Sequence, residues 1–218
     1  YPNDGYINIS IDPAEPISFG LKLRIPTWTK GQFVPGDLYR FADTNKLPVS
    51  LRVNGRVVNL HVSNGFATLE REWKTGDQVT LTLPMPVRTN ICHPSVEANQ
   101  DRLCFTRGPF VLCAEGIDNS GASQRFFFDR LPNTLRSRVV QTKLKYGSFI
   151  QSIVSGKAVT DQGGAKRERI LLTPYYAWNN RGTSSMTVWF PRKEQMATYD
   201  PHALPKESMF TDLRASYT

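Results

Sequence analysis

Glu70 and Glu72 stand two residues apart in an alternating stretch. On a strand, that spacing sends both carboxylates from one face. Paired carboxylates can run glycoside hydrolysis, one as acid and the other as base or nucleophile. This pair, however, shares one strand, with Arg71 and Trp73 on the opposite face, and flanks no cleft that the sequence discloses. Two solvated charges on an outer face are therefore expected. The three cysteines, Cys92, Cys104 and Cys113, are an odd number at spacings that match neither a disulfide framework nor a zinc pattern. Buried structural thiols are expected, with one bridge left open. His61, His93 and His202 are scattered. Cys92 and His93 are adjacent, so on a strand they would point to opposite faces. No metal site and no cofactor is expected in this segment. Gly163-Gly164 precedes Lys166-Arg167 but lacks the strand–loop–helix setting of a phosphate loop, and reads as a loop tip.

Binding chemistry is a second possibility. Trp28, Tyr175, Tyr176, Trp178 and Trp189 could stack on the apolar faces of sugars, although core and corner packing uses the same residue types. In Trp178-Asn179-Asn180-Arg181-Gly182 the asparagines and glycine suit a tight turn, from which Arg181 could face a partner domain. Arg107 precedes Gly108-Pro109 inside an apolar run, where a bulge or sharp bend would hold it toward an anion or a neighbouring domain. The basic residues are concentrated late. Residues 1–120 hold 12 Lys/Arg and 12 Asp/Glu, whereas 121–218 hold 15 and 7. Lys166, Arg167 and Arg169, with Arg136, Arg138, Lys143 and Lys145, could meet a polyanion. Without a recognisable nucleic-acid module, a solvated positive face or a domain interface is the expectation, and no nucleic acid is expected as partner.

Short strands must position these groups. Ile7, Ile9 and Ile11 alternate with polar residues, as do Phe19, Leu21, Leu23 and Ile25. Residues 29–48 read as a long loop. Asn54-Gly55 and Asn64-Gly65 each sit between apolar runs, the strongest short hairpin signal. Val79, Leu81 and Leu83 form a further alternating strand, which Pro84 and Pro86 end by removing backbone donors. About seven strands thus fit before Pro84, a spacing that suggests a β-sandwich. Pro84–Asp118 then turns a corner between two sheets. Later strands are expected at Phe126–Phe128, Leu144–Ile153, Val159, Ile170–Leu172 and Thr187–Phe190, with a polar tail loosely held from Gln195 onward. No segment carries a sustained helical period, so little helix is expected.

Composition agrees with a folded chain. Of 218 residues, 39% are hydrophobic and 11% aromatic, which excludes a disordered class. No apolar run approaches the length of a membrane span, so no membrane partner is expected. The start, YPNDGYINISIDP, lacks the basic and apolar regions of a signal peptide and reads as a strand edge, as if cut from something longer.

The string HPSVEANQDRLCFTRGPFVLCAEGID (93–118) resembles the segment downstream of the catalytic barrel in glycoside hydrolase family 127, the β-L-arabinofuranosidase-like enzymes. Three further stretches agree in the same order. They are Leu23 to Trp28, Gly65 to Asp77, and Thr173 to Gly182 with Met186 to Pro191. The resemblance implies a parent enzyme that performs retaining hydrolysis in a helical barrel, with a cysteine nucleophile and a zinc bound by Cys and Glu, a tandem cysteine pair among them. This chain has no adjacent cysteines and its matching region lies downstream, so no catalytic residue is carried over; zinc would belong to the missing barrel.

The expected architecture is all-β, two packed β-sandwich units over residues 1–98 and 99–218, with strands open to exchange between them. The expected function is that of a non-catalytic C-terminal accessory region of a glycoside hydrolase, supporting an N-terminal catalytic barrel and able to form a homodimer. The alternatives are a free-standing carbohydrate-binding module for plant-type sugars and a polyanion-binding domain. Trp28, Arg107, Tyr175, Trp178 and Arg181 are the candidate contacts with sugar or domain. A bacterial periplasmic or secreted setting is favoured over a cytoplasmic one.

Overall fold

The computed structural model describes residues 2–44, 47–132, 140–144 and 147–200. Arg136, Arg138, Lys145, His202 and most of the polar tail lie outside the described residues. So does the side chain of Lys143.

Among the described residues, eight strands precede the proline corner: β1 (Tyr6–Ile11), β2 (Ile17–Arg24), β3 (Tyr39–Phe41), β4 (Ser50–Val53), β5 (Arg56–Val57), β6 (Val62–Ser63), β7 (Phe66–Trp73) and β8 (Asp77–Thr82). All pairings are antiparallel. Sheet β1-β8-β4-β5 faces sheet β2-β7-β6. Between them lies a core that includes Leu23, Ile25, Leu51, Trp73, Val79 and Leu81. Both Asn-Gly pairs are two-residue hairpin turns, joining Val53 to Arg56 and Ser63 to Phe66. Asn54 and Asn64 each take φ 49°, the left-handed conformation this turn demands and asparagine tolerates.

The loop expected over 29–48 is interrupted by β3. This strand leaves the first sandwich and pairs with Cys92, Ile91 and Asn90 of the second unit. Its neighbours are turn formers, so three residues of strand left no readable period.

After the corner come β9 (Val87–Cys92), β10 (Arg102–Arg107), β11 (Phe110–Glu115), β12 (Phe126–Phe127), β13 (Val140–Leu144), β14 (Gly147–Val159), β15 (Ala165–Pro174), β16 (Met186–Thr187) and β17 (Phe190–Pro191). They form one large sheet in the order β12-β14-β15-β11-β10-β9-β3, with β13 on β14, β16 on β11 and β17 on β10. The segment after the end strand β12 comes back to β17, where Phe128 N donates to Pro191 O at 2.8 Å. The enclosed core includes Phe105, Leu112, Phe128, Ile170, Leu172 and Phe190. Among the described residues the only helical elements are short 3₁₀ turns. The protein is thus all-β, with sandwich-type packing throughout.

The two cores part between Met85, which packs in the first, and Val87, which packs in the second. Phe110 touches both. Arg107-Gly108-Pro109-Phe110 is a two-residue hairpin, with Arg107 opposite Phe110, and not a bulge. Gly108 has φ 55°, and a Cβ there would lie 2.3 Å from Met85 Cε. The positive φ favours glycine at this turn, and any larger residue would also displace the Met85 side chain.

The first sandwich carries a pH-sensitive contact. Asn54 Nδ2 donates to Asp77 Oδ1 at 2.7 Å and Lys74 N to Oδ2 at 3.0 Å. These bonds, with Arg71 at 3.8 Å, hold the Asp77 carboxyl below its ordinary 3.8 against the opposing effect of burial. A depressed folded value means that the contribution is present above 3.8 and is lost as pH falls through the folded value. Melting temperature measured from about pH 5 down to about pH 2 should fall less steeply in Asp77→Asn than in the parent chain. Equal slopes would show that the contact does not couple to folding.

Candidate functional site

The described cluster richest in functional groups lies at the end of β15. Pro174 closes the strand, and Tyr175–Ala177 form a 3₁₀ turn whose last carbonyl partner is Trp178 N, bonded to Tyr175 O at 3.3 Å. Ala177 points into the protein, while Tyr175, Tyr176 and Trp178 are 46%, 56% and 36% exposed. The Tyr175 and Trp178 rings lie 6.3 Å apart, their planes tilted by 32°. Tyr176 leans on Phe110 at 5.3 Å, and partial burial raises its hydroxyl above the usual value.

Beneath this turn is a buried ionic cluster. Arg181 donates from Nη1 to Asp118 Oδ1 at 2.7 Å. From Nη2 it donates to Asp118 Oδ2 at 2.6 Å and Glu115 Oε2 at 2.5 Å. Its side chain is 6% exposed and that of Glu115 1%. The guanidinium sits 5.3 Å from the Phe149 ring centre. Burial pulls its pKa down, but Asp118 and then Glu115 outweigh it, and the net shift is upward. Asp118 Oδ2 also accepts from Gln151 Nε2 at 2.9 Å and Thr173 Oγ1 at 3.3 Å. Glu115 Oε1 accepts from Asn179 N at 2.9 Å, which ties the aromatic turn to the cluster. Asn179 takes φ 62° and Gly182 φ 111°, so Asn-Asn-Arg-Gly folds back and delivers Arg181 inward. The expected tight turn is present, but Arg181 faces carboxylates of its own chain.

The other candidates are elsewhere. Trp28 is 8% exposed and packs in the first core. It lines a cavity of about 10 Å³ with Phe41, Pro84, Pro86 and Arg88, so it presents no face to a sugar and does not join the exposed aromatics. Arg107 is buried at the hairpin, where Nη1 donates to Asn3 O at 2.7 Å. Burial lowers its pKa, partly countered by Asp4. It thus meets the amino-terminal segment and no free anion. Trp189 lies against Tyr39 at 5.6 Å. Glu70 and Glu72 are exposed on β7, Glu72 beside Lys74 at 3.5 Å, and Trp73 turns inward.

Sequence reasoning missed Glu115, Asp118 and the partly buried pairs Arg88–Asp43 and Arg125–Glu168. Glu115 did leave a signal, a carboxylate at the end of the unbroken apolar run Phe110–Ala114. The three cysteines are free. Burial and then Cys92 push Cys104 up to about 12; burial and then Glu115 push Cys113 up to about 12. Among the described residues no three His, Cys, Asp or Glu converge as a ligand set. The described side chains therefore do not fit the zinc centre that the resemblance places in the barrel.

The class is defined by these observations: an all-β chain of two cores, joined at a proline corner, with the exposed rings of Tyr175, Tyr176 and Trp178 gathered on one turn. Residues 1–85 match the family model described as "Beta-L-arabinofuranosidase, GH127 middle domain", and residues 87–191 match "Glycoside hydrolase family 127 C-terminal domain". The chain belongs to glycoside hydrolase family 127. It is 23% identical over 205 residues to the non-reducing end β-L-arabinofuranosidase of Bifidobacterium longum subsp. longum, covering 87% of this chain and 29% of that protein. A solved GH127 β-arabinofuranosidase superposes with TM-score 0.80 at 33% identity, covering 91% of this chain and 31% of that one. A GH127 β-L-arabinofuranosidase from Geobacillus stearothermophilus T6 gives TM-score 0.71 at 26% identity, covering 88% and 29%. The chain thus spans under a third of the length of these relatives.

Proposed function

We propose that this chain is a non-catalytic accessory region of a family 127 protein and that it supports a catalytic barrel acting on β-L-arabinofuranosides. The observation that carries the reading is the extent of the match. The middle and C-terminal domain models together account for residues 1–85 and 87–191, while the relatives are about three times longer. The site chemistry agrees. The Cys104 and Cys113 thiols, raised to about 12, are protonated at ordinary pH and are poor nucleophiles. The carboxylates of Glu115 and Asp118 are committed to Arg181 and to neighbouring donors, and so are not free to act as a hydrolytic pair.

The isolated chain is expected to release no aglycone from an aryl β-L-arabinofuranoside above a buffer blank. Turnover that survives repurification and scales with this chain's concentration would overturn the reading.

A further inference from the structure

Large aromatic side chains on a folded surface are costly to leave in water, and a group of them marks a contact site. Tyr175 and Trp178 are such a group, and their backbone is fixed. Pro174 sets the entry, Trp178 N bonds Tyr175 O, and Asn179 N bonds the buried Glu115. Rings presented by a fixed turn lose less freedom on binding than rings on a loose loop.

The polar groups beside the rings indicate what would lie there. Asn179 and Asn180 follow Trp178 directly, and both are exposed. Among the described residues neither carboxamide makes a hydrogen bond. Each carboxamide offers donors and an acceptor, the complement of vicinal hydroxyls. The cluster below holds two carboxylates against one guanidinium, so an acidic ligand would meet net negative charge and no free cation. Apolar ring faces, adjoining amides and the absence of a spare cation in the cluster together match a sugar with an apolar C–H face and no carboxylate.

We propose that Tyr175 and Trp178, with the adjoining Asn179 and Asn180 carboxamides, form a shallow binding surface for a neutral glycan. The surface requires no catalysis by this chain. The accessory reading enters only in the choice of first probe.

The test titrates the chain with a linear arabino-oligosaccharide and, separately, a cello-oligosaccharide, followed by tryptophan fluorescence and calorimetry. Saturable binding of at least one is expected. Trp178→Ala and Tyr175→Ala should each weaken it by about tenfold. Tyr176→Ala, which removes a ring packed on Phe110 and outside the pair, should leave it within about twofold. An oligogalacturonide, of similar length but charged, should bind at least about tenfold more weakly than the neutral probe. Melting curves confirm that each variant is folded. Absence of saturable binding to both neutral probes overturns the proposal, as does binding that Trp178→Ala leaves unchanged or an uronate that binds best. Free arabinose appearing in the same mixture would strike at the accessory reading and leave this one standing.

Discussion

Replacing Arg181 with alanine is expected to destabilise the chain by about 3–5 kcal/mol, because it leaves the buried Glu115 and the largely buried Asp118 without their cation. The size follows from the geometry. Glu115 is 1% exposed and its Oε2 has Arg181 as partner at 2.5 Å. With the guanidinium gone, that carboxylate must ionise unpaired, take up a proton or drag the turn open. Arg181→Lys should recover little. One ammonium cannot reproduce two parallel bonds to Asp118 and a third to Glu115. The triple variant Arg181→Met, Glu115→Gln, Asp118→Asn should recover most of the loss, since removing all three charges leaves none stranded. Urea unfolding reads all three. For a chain of this size the alanine variant should also melt roughly 10 °C lower. A loss below about 1 kcal/mol would mean that the cluster behaves as a solvated surface pair.

This cluster shows what spacing could and could not disclose. The Asn-Gly hairpins, the alternation in β1, β2 and β8, and the proline corner were legible because each is local. One turn or one period carries the whole signal. The Arg181 partners lie 63 and 66 residues away, and only the fold of β11 against β15 brings them near. Strand β9 escaped for another reason. Its first four residues, Val87-Arg88-Thr89-Asn90, are all buried, yet three are polar and show no apolar period. Tertiary partners offset part of the cost of that burial. Arg88 bonds Asp43 at 2.8 Å and stacks over Phe41 at 3.5 Å, and Asn90 Nδ2 bonds Thr106 Oγ1 at 2.8 Å. The aromatic residues were recognised as a set, but hydropathy could not sort them. Trp28 and the Tyr175–Trp178 group both sit at a 3₁₀ turn behind a proline, Pro26 and Pro174, so the local sequence is alike and only the tertiary fold buries the one and exposes the others.

Phe105→Ala should cost about 3–5 kcal/mol, the usual range for emptying a buried aromatic site. Phe105 is fully buried, and its ring meets Phe128 at 5.0 Å and Phe190 at 5.7 Å, which in turn meet each other at 5.6 Å. The three rings belong to β10, the segment after β12, and β17, so they join three segments around one core. Collapse into the cavity is restricted, because the bond from Phe128 N to Pro191 O already ties two of these segments together. The loss should therefore fall at the upper end of the range, and Phe105→Leu should restore about half of it. The same variant tests how the two cores are joined. Strand β3 comes from the span of the first core but pairs with β9, Phe110 packs in both cores, and Arg107 bonds Asn3 across the corner. Those links require that a lesion in the second core be felt in the first. Calorimetry of Phe105→Ala should show one transition moved to lower temperature. Two transitions, with the upper one unmoved, would show that the corner is a hinge between independent units and that β3 can leave its sheet without unfolding the sandwich it came from.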